Sequence, residues 1–115
     1  MDESVIDRVV YAELRNSMGA EFVAELVDTF IQEWPGVLAE LNGARAEGND
    51  DRFRRAAHSL KSNGYTFGAR KLATLARELE LNGLDAKSAR DEAALAALEA
   101  EYARTAAELK ALRNG

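Results

Sequence analysis

Apolar residues recur along this chain at spacings of three and four, and no alternating run is long enough for a strand. The pattern predicts an all-α protein. A first helix is expected from about Ser4 to Ser17, with Ile6, Val9, Val10 and Leu14 on one side and Gly19 ending it. From Ala20 onward, Phe22, Leu26, Phe30, Val37 and Leu41 keep nearly one phase across Pro35. That continuity predicts one long helix bent at the proline, which lacks a backbone donor. The alternative is two helices, with Pro35 in the first turn of the second. Val23, Val27, Ile31 and Trp34 widen the apolar face to about half the circumference.

Gly48 and Asn49 close that stretch, and Asn49 or Asp50 can cap a third helix that runs to a tight turn at Gly68. A fourth carries Leu72, Leu75, Ala76 and Leu79 and stops at Asn82-Gly83. The last starts after Asp85 or at Ser88, where Ser88-x-x-Asp91 resembles a capping box. Its seam is Leu95, Leu98, Tyr102, Leu109 and Leu112, padded by alanines that permit close approach. Short connections between long amphipathic helices make neighbours antiparallel. The expected fold is an antiparallel up-down four-helix bundle with a short additional N-terminal helix, one domain across residues 1–115.

Composition narrows the function classes. With no cysteine, disulfide and thiolate chemistry are excluded, which suits a reducing cytoplasm. The start is acidic and leads into no long apolar run, so neither a leader nor a membrane span is expected. A net charge of −5, from 20 acidic and 15 basic residues, argues against a nucleic-acid scaffold. One histidine and no cysteine make a dedicated transition-metal site unexpected. There is no Gly-rich phosphate loop, so autonomous kinase activity is not expected either. Yet Arg52, Arg54, Arg55, Lys61, Arg70 and Lys71 crowd around the lone histidine, His58, and predict a local basic patch that could receive a phosphate or an acidic pocket.

On the third helix, Phe53, Ala56, Ala57, Leu60, Gly64 and Phe67 fall on one face, and His58 points about 150° away from its centre, among Arg54, Lys61, Ser62 and Tyr65. An exposed lone histidine is ordinarily just solvated. Its neighbours change that reading. The order Ala57-His58-Ser59-Leu60-Lys61, followed by small residues and Gly68-Ala69, resembles the signature of histidine-containing phosphotransfer (HPt) domains. Ile6-Asp7, the stretch from Glu21 to Leu26 and the run from Leu72 to Glu80 also look like family positions, so the resemblance covers nearly the whole chain.

The resemblance implies that His58 is phosphorylated on Nε2, with Glu80 on the following helix as the candidate that orients the other ring nitrogen. Lys61, one turn on, is suited to balance phosphoryl charge. Ser62 and Gly64 are small and would give a partner access. Two positions depart from the family pattern. Ser62 replaces the usual glycine after the lysine, and Leu84 stands where many relatives carry a basic residue, leaving Lys61, Arg54 or Arg55, or else the partner, to supply charge. The implied partners are response-regulator receiver domains and an upstream hybrid histidine kinase, with any Mg²⁺ belonging to the receiver and the chain itself a monomer. The expected docking surface comprises Arg54, Arg55, Lys61 and Tyr65, with Ile6, Val10 and Ile31 as apolar edges. The alternative is a helical adaptor or inhibitor that binds a receiver or kinase without carrying phosphate.

Overall fold

The computed structural model describes residues 5–84 and 89–114, the side chains of residues 89 and 90 excepted. Its helices are α1 (Arg8–Met18), α2 (Ala20–Glu47), α3 (Asp50–Phe67), α4 (Arg70–Asn82) and α5 (Ala89–Asn114), and there is no strand among the described residues. Around the bundle α2 packs on α3, α3 on α4, α4 on α5 and α5 on α2, while α1 lies across α2 and α3. Contacts run in opposite directions along neighbours, as antiparallel packing requires. On α3 and α4, Arg54 meets Leu81, His58 meets Glu80, and Gly64 faces Ala73. On α2 and α5, Asp28 meets Arg113, Trp34 meets Tyr102, and Arg45 meets Glu92. This is the expected up-down four-helix bundle with an additional N-terminal helix.

α1 begins later than the sequence pattern suggests. Asp7, not a residue near Ser4, is its N-cap, and the side-chain oxygen Oδ1 accepts from the backbone N–H groups of Val9 at 3.0 Å and Val10 at 3.4 Å. Ile6 therefore precedes the helix and is fully buried, and Tyr11 one turn inside is buried as well, the placement of a hydrophobic staple. The Asp7 N–H donates to Gly68 O at 2.8 Å and so anchors α1 on the turn between α3 and α4. At that turn Gly68 has φ 78°, and a Cβ there would lie 2.9 Å from Val10 Cβ and 3.0 Å from Asp7 O, so only glycine fits.

α2 passes through Pro35 as one helix, which removes the two-helix alternative. Its buried face is Val23, Val27, Phe30, Leu41 and Ala44, whereas Phe22 is exposed. In the turn before the proline, Tyr102 Oη donates to Phe30 O at 2.8 Å, and the Trp34 ring stacks on Tyr102 at 4.0 Å. Burial pushes the Tyr102 hydroxyl pKa up, with Glu33 adding to the shift. Leu95, Leu98, Tyr102 and Leu109 of α5 are buried as expected. Glu101 and Thr105 are buried beside them: the Thr105 hydroxyl donates to Glu101 O at 2.8 Å, and Arg104 Nη2 sits 2.7 Å from Glu101 Oε1. Asp85 and Ser88, the expected starts of the last helix, lie outside the described residues.

Candidate functional site

The α3 sequence buries Phe53, Ala57, Leu60, Gly64 and Phe67 and turns His58 outward, with its side chain 57% exposed. Two features keep the helix in this phase. Asn49 caps it by accepting from the Arg52 N–H at 3.0 Å, and Gly68 in the left-handed conformation ends it.

Across from His58, α4 presents Glu80. Glu80 Oε2 lies 2.7 Å from His58 Nδ1, and Glu80 Oε1 lies 2.7 Å from Lys61 Nζ, an ion pair with Oε1 itself closed to solvent. The Lys61 ammonium, and after it the His58 ring, hold the Glu80 carboxyl below the usual glutamate range, against an opposing effect of partial desolvation. An ionised carboxylate can only accept, so Nδ1 carries a proton, and in the neutral ring Nε2 holds the free lone pair. That is the tautomer in which Nε2 is nucleophilic.

The remaining candidates separate by location. Ser62 is exposed one turn beyond His58, and Tyr65, half exposed, lies two turns along the same face. Arg55 is exposed, with Asp51 3.8 Å away. Ile31 is half-buried against the core, and Val10 is half-buried beside Gly68. Two positions, Ile6 and Gly64, differ from expectation. Ile6 is enclosed in the core, because the residue before a helix N-cap packs inward, and it offers a partner no surface. Gly64 is buried against α4, where a Cβ would meet Ala73 Cβ at 3.1 Å and Ala73 N at 3.2 Å; its smallness serves helix packing, not access to His58. Arg54 is engaged within the chain: its Nε contacts Asp50 Oδ2 at 2.7 Å, and its Nη1 donates to Glu80 O at 2.9 Å and Leu81 O at 3.2 Å.

The expected basic patch is charge-balanced. Arg52 pairs with Glu40 at 2.6 Å and Glu47 at 3.0 Å, Arg70 with Asp7 at 2.6 Å, and Lys71 with Glu101 at 3.9 Å, beside the pairs of Arg54, Arg55 and Lys61 already described. The carboxylates come largely from other helices, which is why the sequence showed the cations without their partners. Leu84 donates its backbone N–H to Asp50 Oδ1 at 2.8 Å and packs on the core. An open groove between α2 and α3, lined by Gly36, Val37 and Ala56 and edged by Glu40 and Ser59, was not anticipated; its signal was the small residues facing one another. Among the described residues, no group of three or more His, Cys, Asp or Glu could hold a metal ion, and no helix is long and apolar enough to cross a membrane.

Comparison with known proteins gives a consistent result. The sequence profile of the Hpt domain matches residues 25–114. Sensor protein TorS of Escherichia coli (strain K12) is 35% identical over 85 residues, covering 72% of this chain and only 9% of that much longer protein. The crystal structure of histidine-containing phosphotransfer protein B from Pseudomonas aeruginosa PAO1 superposes with a TM-score of 0.86 at 29% identity, covering 98% of this chain and 97% of that one.

Proposed function

The chain belongs to the Hpt domain family and has a histidine phosphotransfer function in two-component signalling, and on that premise we propose that His58 carries the phosphoryl group. The supporting observation is an exposed imidazole whose Nδ1 lies 2.7 Å from an ionised carboxylate. In the proposed reaction the Nε2 lone pair attacks the phosphorus of an aspartyl phosphate presented by a receiver domain. The N–P bond forms as the P–O bond to the aspartate breaks, and that electron pair returns to the aspartate carboxylate. The ring keeps its Nδ1 proton and becomes a phospho-imidazolium, whose positive charge Glu80 offsets. Transfer to a second receiver aspartate reverses these events.

Lys61 shares Glu80 with His58 and turns part of its charge to the phosphoryl oxygens once they arrive. Ser62 leaves the approach to His58 open, and Arg55 and Tyr65 flank the incoming partner, with Val10 and Ile31 at its margin. Any Mg²⁺ belongs to the receiver's own pocket. The chain acts as a cytoplasmic, monomeric phosphotransfer intermediate without ATP-dependent kinase activity, loaded through an upstream hybrid histidine kinase.

Incubation with a panel of prephosphorylated receiver domains, read by intact mass, tests this reading. An acid-labile gain of one phosphate in the wild type, absent in His58→Gln, is the expected result. Receiver binding without transfer in the wild type would overturn it in favour of an adaptor.

A further inference from the structure

Arg54 and Asp50 lie on the first turns of α3, before His58, and both reach the end of α4. Four carbonyls at a helix C-terminus lack intrahelical partners. In α4 the Leu79 carbonyl takes the Gly83 N–H at 2.9 Å, and the next two, Glu80 O and Leu81 O, take Arg54 Nη1. α4 has no basic residue in its own last turn, so this capping cation is imported from α3. Asp50 braces it: Oδ2 holds Arg54 Nε at 2.7 Å, while Oδ1 accepts the Leu84 N–H at 2.8 Å. The chain between passes so close that a Cβ on Gly83 would lie 2.3 Å from Arg54 Nη2 and 2.4 Å from Asp50 Oδ1.

Glu80 is thus gripped twice from α3. Its backbone oxygen is held by Arg54, and its carboxylate meets His58, one helical turn further on. We propose that Arg54, braced by Asp50, is a positioning residue for His58: it fixes the last turn of α4 so that the Glu80 carboxylate stays on Nδ1 and keeps the Nε2 lone pair free. The guanidinium acts on His58 through Glu80. The consequence for transfer rests on the reading of His58 as the phosphoryl acceptor; the consequence for the imidazole does not.

The test uses the full chain labelled with ¹⁵N. His58 is the only histidine, so the ring gives one unambiguous pair of nitrogen signals. Wild type, Arg54→Ala, Asp50→Asn, Arg54→Lys and, as a control, Arg52→Ala are compared by ring ¹⁵N shifts and by uptake of phosphate from phosphoramidate, a small donor that needs no docking. Arg52 ties α3 to α2 through Glu40 and Glu47, so its loss disturbs α3 without touching α4. At a pH where the ring is neutral, the wild type should show Nε2 as the unprotonated nitrogen. Arg54→Ala and Asp50→Asn should move the ring toward a mixture of tautomers and slow uptake roughly tenfold, as a loss of orientation does. Arg54→Lys should fall between, and Arg52→Ala should match the wild type. Ring shifts unchanged in both Arg54→Ala and Asp50→Asn, or a change equally large in Arg52→Ala, would overturn the proposal. A wild type that takes up no phosphate would instead overturn the acceptor reading, and the ring shifts would still decide the positioning role.

Discussion

His58 Nδ1 and Glu80 Oε2 lie 2.7 Å apart across the α3–α4 interface, joining residues 22 positions apart in the chain. The contact decides which ring nitrogen is available. A free imidazole exchanges its proton between both nitrogens, whereas one held by a carboxylate at Nδ1 presents Nε2 as the base.

Glu80 can be replaced by glutamine at little cost to this geometry, since an amide oxygen still accepts from Nδ1–H. Alanine removes the acceptor. Phosphate uptake from phosphoramidate should fall roughly two- to threefold in Glu80→Gln and roughly tenfold or more in Glu80→Ala, the difference reflecting loss of charge alone against loss of the hydrogen bond. Equal rates in the two variants would show that the hydrogen bond contributes nothing beyond charge.

Acid should weaken the fold through a defined set of carboxylates. Glu40 is held below the ordinary glutamate value of 4.5 by Arg52, and Glu80 below the same value by Lys61 and then His58. Asp50 is held below its ordinary 3.8 by the Leu84 N–H and then Arg54. A carboxyl whose folded pKa is depressed stabilises the protein above its unfolded value and loses that contribution as pH falls through the folded one. The thermal midpoints of wild type and Glu40→Gln should therefore differ by a constant, small amount well above pH 4.5 and converge below it. A gap that widened on acidification would contradict this assignment.

Two glycines at helical positions should respond to alanine with opposite sign. Gly36 of α2 is exposed, with nothing within 4 Å of an added Cβ, so Gly36→Ala should raise stability by about 0.5–1 kcal/mol through backbone entropy. At Gly64 the same gain meets Ala73 N at 3.2 Å and Ala69 O at 3.3 Å, backbone atoms themselves joined by a 3.0 Å hydrogen bond and unable to yield cheaply. Gly64→Ala should lower stability by about 1 kcal/mol or more. Urea midpoints measure both, and a stabilised Gly64→Ala would mean that α3 and α4 separate more freely than this packing implies.

The bundle was legible because period-3.6 patterning and glycine stops carry most of a helix's boundary information. His58 was legible for a related reason: helical phase alone puts it opposite Phe53 and Leu60. What phase cannot give is a contact between helices. Arg54 reads as a surface cation until the unpaired carbonyls of α4 are beside it, and Arg52, Arg70 and Lys71 read as a basic patch until Glu40, Asp7 and Glu101 arrive from other segments. Ile6 was misplaced because a residue outside the helix does not follow its phase. Gly64 shares the buried stripe with Leu60, and treating it as an access residue ignored that stripe.

Ser62 tests how far access at His58 limits transfer. It lies one turn beyond the histidine on the same face, and its carbonyl accepts from Thr66 Oγ1 at 3.1 Å, a bond glycine would retain. Ser62→Gly removes only a hydroxymethyl group from the approach. Helix propensity should cost about 0.5 kcal/mol, read from the urea midpoint. Transfer from a receiver domain should be unchanged or faster, because the receiver must bring bulky loops up to Nε2 and the small donor phosphoramidate need not. The gain, where present, should therefore appear with the receiver and not with phosphoramidate. A marked slowing with both donors would overturn the steric account and assign the Ser62 hydroxyl a direct contact with the phosphoryl oxygens.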